Sequence, residues 1–252
     1  MKLVDTHCHL DFEPLVSRTS TVLERARSVG VTRIIAPSYN IASWAQVRRL
    51  AQHDGVFAAF GLHPWVADEN LDADELRVML TEPKCRAIGE VGLDFKVDTC
   101  PHTRQIEVLK QQLDLALEFD RPGLLHCRGA AEELLESLRD YTPRLRGVLH
   151  AFSRGPELAA RFVDAGLHVA FGGAVTRSTA RQARRSAQTT PSERLLLETD
   201  APAIGLEDIG PRESEPMHVY NVAKALAELR GASLEEIGEI TSANAERLFK
   251  ID

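Results

Sequence analysis

Lys2-Leu3-Val4-Asp5-Thr6-His7-Cys8-His9 reads as a short buried strand that stops at two histidines one residue apart. A strand sends residues i and i+2 to the same face, so His7 and His9 project together. With nine histidines in 252 residues, roughly 0.3 such pairs arise by chance, so the pair alone decides little. The same design recurs along the chain, however. Apolar runs end at Glu90 (86–90), His126 (122–126), His150 (147–150) and Asp200 (195–200). Each of these side chains stands where a run of Val, Leu or Ile stops. A partly buried imidazole or carboxylate there is costly without a partner, and a bound cation removes that cost for all six together.

Working outward, β-rich runs at 2–9, 31–37, 56–62, 86–90, 122–127, 146–152, 167–171 and 194–200 alternate with helical patterns. The helices are expected over 20–30, 42–53, 72–82, 102–119, 130–140, 156–166 and 178–188, then 215–230 and 233–249. Gly30 reads as a C-terminal stop, and Ser233 to Glu236 as a capping box. The strands lack long polar alternation, which implies that both faces are covered and the strands parallel. The pattern predicts an α/β protein: one (β/α)8 TIM barrel over 1–252, with an additional C-terminal helix. No low-complexity linker or internal repeat divides it.

In that fold the functional rim is where strands end and βα loops begin. His7, His9, Glu90, His126, His150 and Asp200 all fall there. His53, His102, His168 and His218 do not, and read as solvated or capping residues. Charge counting favours two divalent ions: two dications less the carboxylates of Glu90 and Asp200 leave about +2, which suits a bridging hydroxide and an anionic substrate. Glu90, with its longer stem, is expected to bridge. Asp200 is expected to hold one ion and take the proton of the attacking water. Asp5 is expected to orient a ligand histidine from behind.

Other residues share the rim. His63, in Gly61-Leu62-His63-Pro64-Trp65, and Arg128, after His126-Cys127, are candidates for substrate phosphate. Asp94 is expected to shape its loop or bind a substrate hydroxyl. Ser153 and Arg154 follow strand six, and Gly172-Gly173 suits close approach of backbone to ligand. Cys8 and Cys127 point away from their neighbouring histidines and read as buried thiols. Neither a Gly-rich dinucleotide fingerprint nor a nucleophile elbow is present.

The bulk composition narrows the class. The chain is 44% hydrophobic with four cysteines, none in a Cys-x-x-Cys pair. That predicts a reduced core without a disulfide framework. No apolar run approaches the roughly 20 residues that span a bilayer, and no signal-peptide segment opens the chain, so a cytoplasmic protein is expected. A net charge of −7 without long basic runs disfavours a duplex-reading DNA binder but not a nucleic-acid enzyme whose ions supply the positive charge.

The combined motifs resemble the TatD-type metal-dependent deoxyribonucleases among the amidohydrolase-like barrels. The matching stretches are Asp5-Thr6-His7-Cys8-His9-Leu10, Gly61-Leu62-His63-Pro64, Ile88-Gly89-Glu90-Val91-Gly92-Leu93-Asp94, His126-Cys127-Arg128, His150-Ala151-Phe152-Ser153 and Leu197-Glu198-Thr199-Asp200-Ala201-Pro202. The C-terminal segment from Thr241 to Phe249 is also similar. The resemblance implies a divalent-metal hydrolase, in characterised relatives a magnesium-assisted DNase, often a 3′ to 5′ exonuclease. It carries the metal positions onto His7, His9, Glu90, His126, His150 and Asp200. Magnesium or manganese is implied for activity, with zinc able to bind so His-rich a site. The expected substrate is single-stranded DNA or a nucleotide-type phosphate ester, with no membrane and no obligate protein partner. The departures are Gly129, Arg154 and the loop Gly210-Pro211-Arg212-Glu213-Ser214-Glu215-Pro216, all around the substrate mouth. Two rival readings stay open: an amide, ester or lactone hydrolase on the same dinuclear cage, and a non-catalytic metal-binding scaffold.

Overall fold

Eight apolar strands that tolerate water on neither face are satisfied by closing on themselves and carrying helices outside. The computed structural model describes residues 1–251. Its strands are β1 (Leu3–Asp5), β2 (Val31–Pro37), β3 (Val56–Phe60), β4 (Cys85–Asp94), β5 (Gly123–Arg128), β6 (Gly147–Leu149), β7 (His168–Phe171) and β8 (Leu195–Leu197). They form one sheet in sequence order, every neighbouring pair parallel. Backbone bonds draw β8 to β1 and close the ring: Thr6 N–H to Leu197 O (3.0 Å), Asp200 N–H to His7 O (2.8 Å) and His9 N–H to Ala201 O (2.8 Å).

The helices are α1 (Thr19–Ser28), α2 (Ile41–Leu50), α3 (Ala73–Leu80), α4 (His102–Glu118), α5 (Ala131–Leu138), α6 (Pro156–Asp164), α7 (Arg181–Thr189), α8 (Val219–Arg230) and α9 (Leu234–Phe249). The expected TIM barrel with an extra C-terminal helix is therefore present. Ser233 caps α9 by accepting from Glu236 N–H at 3.1 Å.

Two apolar layers result. Outward-facing strand residues pack against the helices. Inward-facing Val4, Ile35, Ala59, Ala87, Leu124, Val148, Ala170 and Leu196 fill the barrel, joined from below by Leu248, Phe249 and Ile251. The extra helix is thus a plug. It covers the end of the barrel opposite the βα loops and leaves the loop end open for chemistry. No helix among the described residues is long and apolar enough to cross a membrane.

Several boundaries differ from the sequence reading. β4 was expected to end at Glu90 but continues to Asp94. The register shifts between Ile88 and Val91, and pairing then resumes as Gly92 to His126 and Asp94 to Arg128. Gly92, at φ +149°, permits this, since a Cβ there would lie 2.0 Å from His126 O. Glu90 and His126 therefore stand within strands. β1, β6 and β8 are shorter than expected, and His7, His9, His150 and Asp200 follow them.

All four cysteines are free, and burial pushes the Cys8 thiol well up and that of Cys127 to about 12, as inert thiols require. His218 caps a turn, its Nδ1 accepting from Glu215 N–H at 2.9 Å, and exposed His102 stacks on Phe95. His168 differs from the solvated or capping role expected of it: it is half-buried, and burial lowers it to about 4.

Candidate metal centre

Short strands followed by sharp turns aim the site residues into the mouth. Asp200 and Ala151 adopt left-handed backbone, at φ 52° and 49°, directly after β8 and β6. Asp5, fully buried, ties two of these exits together. Its Oδ1 accepts from the N–H of His7 (3.3 Å) and of Thr199 (2.9 Å), and its Oδ2 from the Thr199 hydroxyl (2.6 Å). Asp5 therefore positions the paired histidines through backbone, not through an imidazole as expected. Burial pushes its carboxyl up to about 7, against the lowering effect of those bonds.

All six residues singled out by the sequence converge. Glu90 sits at the centre with its two oxygens facing different groups. Its Oε2 lies 3.2 Å from His7 Nε2 and 3.3 Å from His9 Nε2. Its Oε1 lies 2.8 Å from His150 Nε2 and 2.9 Å from His126 Nδ1. Asp200 Oδ1 closes the first group, 3.5 Å from His9 Nε2 and 3.7 Å from His7 Nε2. The His7 and His150 rings stack at 4.0 Å, joining the two halves.

Three overlapping triads hold donor atoms close enough to share an ion: His7, His9 and Glu90; His7, His150 and Asp200; His63, Glu90 and His126. Donors around one small dication lie about 3–3.5 Å apart, the spacing seen here. Asp200 Oδ1 is buried without a hydrogen-bond partner, as are the second ring nitrogens of His7, His9 and His150. A buried carboxylate oxygen left so is expensive, and a cation satisfies it. The donor set fits a divalent-metal centre.

The electrostatics divide the rings. Burial lowers His9 and His126, but Glu90 beside both, with Asp200 near His9 and Asp94 on His126, outweighs it and raises each to about 9, so these two must give up a proton to a cation. Burial pulls His7 down to about 3, keeping that ring neutral and able to donate its lone pair. Burial raises Glu90, but His150, His63 and His7 outweigh it and hold the carboxylate well below its usual range. Burial lifts Asp200. It lifts Glu198 further, with Asp200 adding to the rise.

The four residues expected to meet substrate are each placed differently. His63 is buried, with Nε2 3.4 Å from Glu90 Oε1, and so belongs to the cage geometry as well as to its rim. Asp94 is buried and accepts from Trp65 Nε1 (2.7 Å), lies 3.1 Å from His126 Nε2, and accepts from Lys96 N–H (2.9 Å). Burial raises Asp94, but the bonds from His126, Trp65 and Lys96 prevail and bring it to about 2. It is thus a brace for His126 and for its own loop. Arg128 stays exposed at the rim, Nη1 3.9 Å from Asp94 Oδ2. Ser153 is exposed beyond β6 and takes no part in the cage network among the described residues.

Sequence reasoning passed over a set of neighbours. Glu198 lies fully buried behind the cage, Oε1 3.9 Å from His150 Nδ1. Phe12 stacks on His9 at 4.6 Å, Tyr39 on His63 at 5.1 Å, and Trp65 meets His63 edge-on at 5.1 Å. A clue to Glu198 was its two-residue spacing from Asp200. The aromatics carried no local signal, because each sits in a different loop.

Comparison with known proteins is consistent with this centre. A family model described as TatD related DNase matches residues 4–250. An uncharacterized metal-dependent hydrolase of Bacillus subtilis, YabD, is 33% identical over 99% of this chain and 100% of its own length. A Pantoea ananatis protein named 3′-5′ ssDNA/RNA exonuclease TatD is 33% identical over 98% of this chain and 99% of its own. The crystal structure of YjjV, a TatD homologue from Escherichia coli, superposes with a TM-score of 0.94 at 34% identity, covering 99% of this chain and 98% of that one.

Proposed function

The chain belongs to the TatD-related DNase family of metal-dependent hydrolases, and from that premise we propose that it hydrolyses phosphodiesters of single-stranded DNA, in the 3′ to 5′ exonuclease manner, with two divalent ions. The observation that carries this reading is the placement of Glu90, whose Oε2 faces His7 and His9 while its Oε1 faces His126 and His150. One carboxylate between two donor groups is the arrangement a pair of cations needs.

His7, His9, Asp200 and Glu90 would hold one ion; Glu90, His126 and His150, with His63 beside them, would hold the other. Magnesium or manganese would support turnover, and zinc would also bind. When bound, such ions polarise a phosphoryl oxygen and acidify water. The protein's own share is distinct. Asp200, whose buried Oδ1 has no hydrogen-bond partner, would accept the proton of the attacking water. Asp94 holds the His126 ring by its outer nitrogen and so keeps Nδ1 turned inward. Arg128 is available to pair with a phosphate oxygen as charge develops. Cyclic amidohydrolases often bridge their metals through a carboxylated lysine; here Glu90 takes that place among the grouped donors, which favours the nuclease over the amide or lactone reading.

The test is cleavage of 3′-labelled single-stranded DNA. Chelator-treated protein should be inert and recover with magnesium or manganese. Full activity in excess chelator, or hydrolysis of a small-ester panel with DNA untouched, would overturn the reading.

A further inference from the structure

Phe12, Tyr39 and Trp65 leave the barrel after β1, β2 and β3, on three separate loops, yet form one wall. Phe12 meets Tyr39 edge-on at 6.0 Å, and Tyr39 meets Trp65 edge-on at 6.5 Å. Each is only half-buried. Each is also anchored through backbone. Phe12 O accepts from Leu15 N–H (2.9 Å), Tyr39 O accepts from His63 N–H (2.9 Å), and Trp65 N–H donates to His63 Nδ1 (3.1 Å). The wall touches the cage directly through the His9 and His63 rings. Partly exposed aromatics held rigid beside a phosphate-competent centre are otherwise a poor use of surface.

We propose that Phe12, Tyr39 and Trp65 form a stacking surface for the bases of single-stranded nucleic acid next to the reacting phosphate. Aromatic faces stack any base, so such a surface gives affinity without sequence preference. Exposed Arg128, the last residue of β5, and exposed Arg154, after β6, lie on the other side of the mouth, where the backbone phosphates would run. The inference rests on the nuclease reading for the position of the phosphate, and adds that the bases, not only the phosphates, are recognised.

The indole supplies a readout independent of turnover. Trp44 is buried, at 2% exposure, so Trp65 is the indole a ligand in the mouth can reach. A phosphorothioate-linked oligothymidylate, titrated with magnesium present, should quench tryptophan emission. The same oligomer with its 3′-terminal bases removed should bind roughly tenfold or more weakly. The double substitution Phe12→Leu with Tyr39→Leu should bring the two oligomers to within about twofold of each other. Equal binding of both oligomers to the unaltered protein, which needs no variant, would overturn the wall, as would a preference that survives the double substitution. Base-dependent binding without DNA cleavage would leave the wall standing and remove the hydrolytic reading. Cleavage with base-independent binding would do the reverse.

Discussion

Asp94 Oδ2 stands 3.1 Å from His126 Nε2, and this turns the other ring nitrogen, Nδ1, toward Glu90 at 2.9 Å. Burial lowers His126, but Asp94 and Glu90 together carry it up to about 9. Asp94→Asn should keep the shape and lose the charge that orients the ring. Metal affinity should fall about 10- to 100-fold, read by calorimetric titration with manganese. Unaltered affinity would mean that the ring needs no such brace.

Glu90→Gln tests the bridge. An amide cannot serve two cations with equivalent oxygens, so bound metal should drop from two ions per chain toward one. Activity should fall by at least about 100-fold. Elemental analysis of the dialysed protein gives the count, and two tightly held ions in the variant would contradict the bridging role.

Asp200→Asn removes the proposed proton acceptor and leaves the volume. Turnover should fall by about 10²- to 10⁴-fold. The metal-free protein should melt no lower than its parent, because burial lifts the Asp200 carboxyl and so makes its charge costly in the fold. A variant with normal turnover would reassign the base.

Far from the cage, His168 makes stability depend on pH. Burial, with Arg194 adding, lowers it to about 4 in the folded protein, against 6.5 in an open chain. The unfolded chain therefore binds the extra proton between these values, and stability declines as pH falls from about 6.5 to about 4. The linkage is worth at most about 3 kcal/mol, since each unit corresponds to roughly 1.4 kcal/mol. His168→Gln should flatten that part of the curve in urea unfolding, and a slope unchanged from the parent would assign it to other groups.

Phe249 closes the barrel floor with 1% exposure. Phe249→Ala should cost about 3–5 kcal/mol in denaturant unfolding. A loss below about 1 kcal/mol would mean that α9 merely rests against the barrel.

The strand and helix rhythm was legible because it is local: short continuous apolar runs and stripes of period 3.6 need only near neighbours. The six convergent side chains were legible because chemistry-bearing residues closed apolar runs. The length of β4 was not. Val91-Gly92-Leu93-Asp94 reads as the loop after a strand, yet register pairing with β5 keeps it in the sheet, and pairing is a property of two distant segments. The inward position of His63 was hidden for a similar reason, since the Glu90 oxygen it meets arrives from another strand.

From the amino acids in order came the barrel, its count of βα units and the identity of six donors. Closure alone decided which oxygen of Glu90 faces which histidines, which nitrogen of His126 points inward, and that Phe12, Tyr39 and Trp65 share one wall. Periodicity is written along the chain, whereas side chains from different loops become neighbours only when β8 meets β1 and the ring sets their distances.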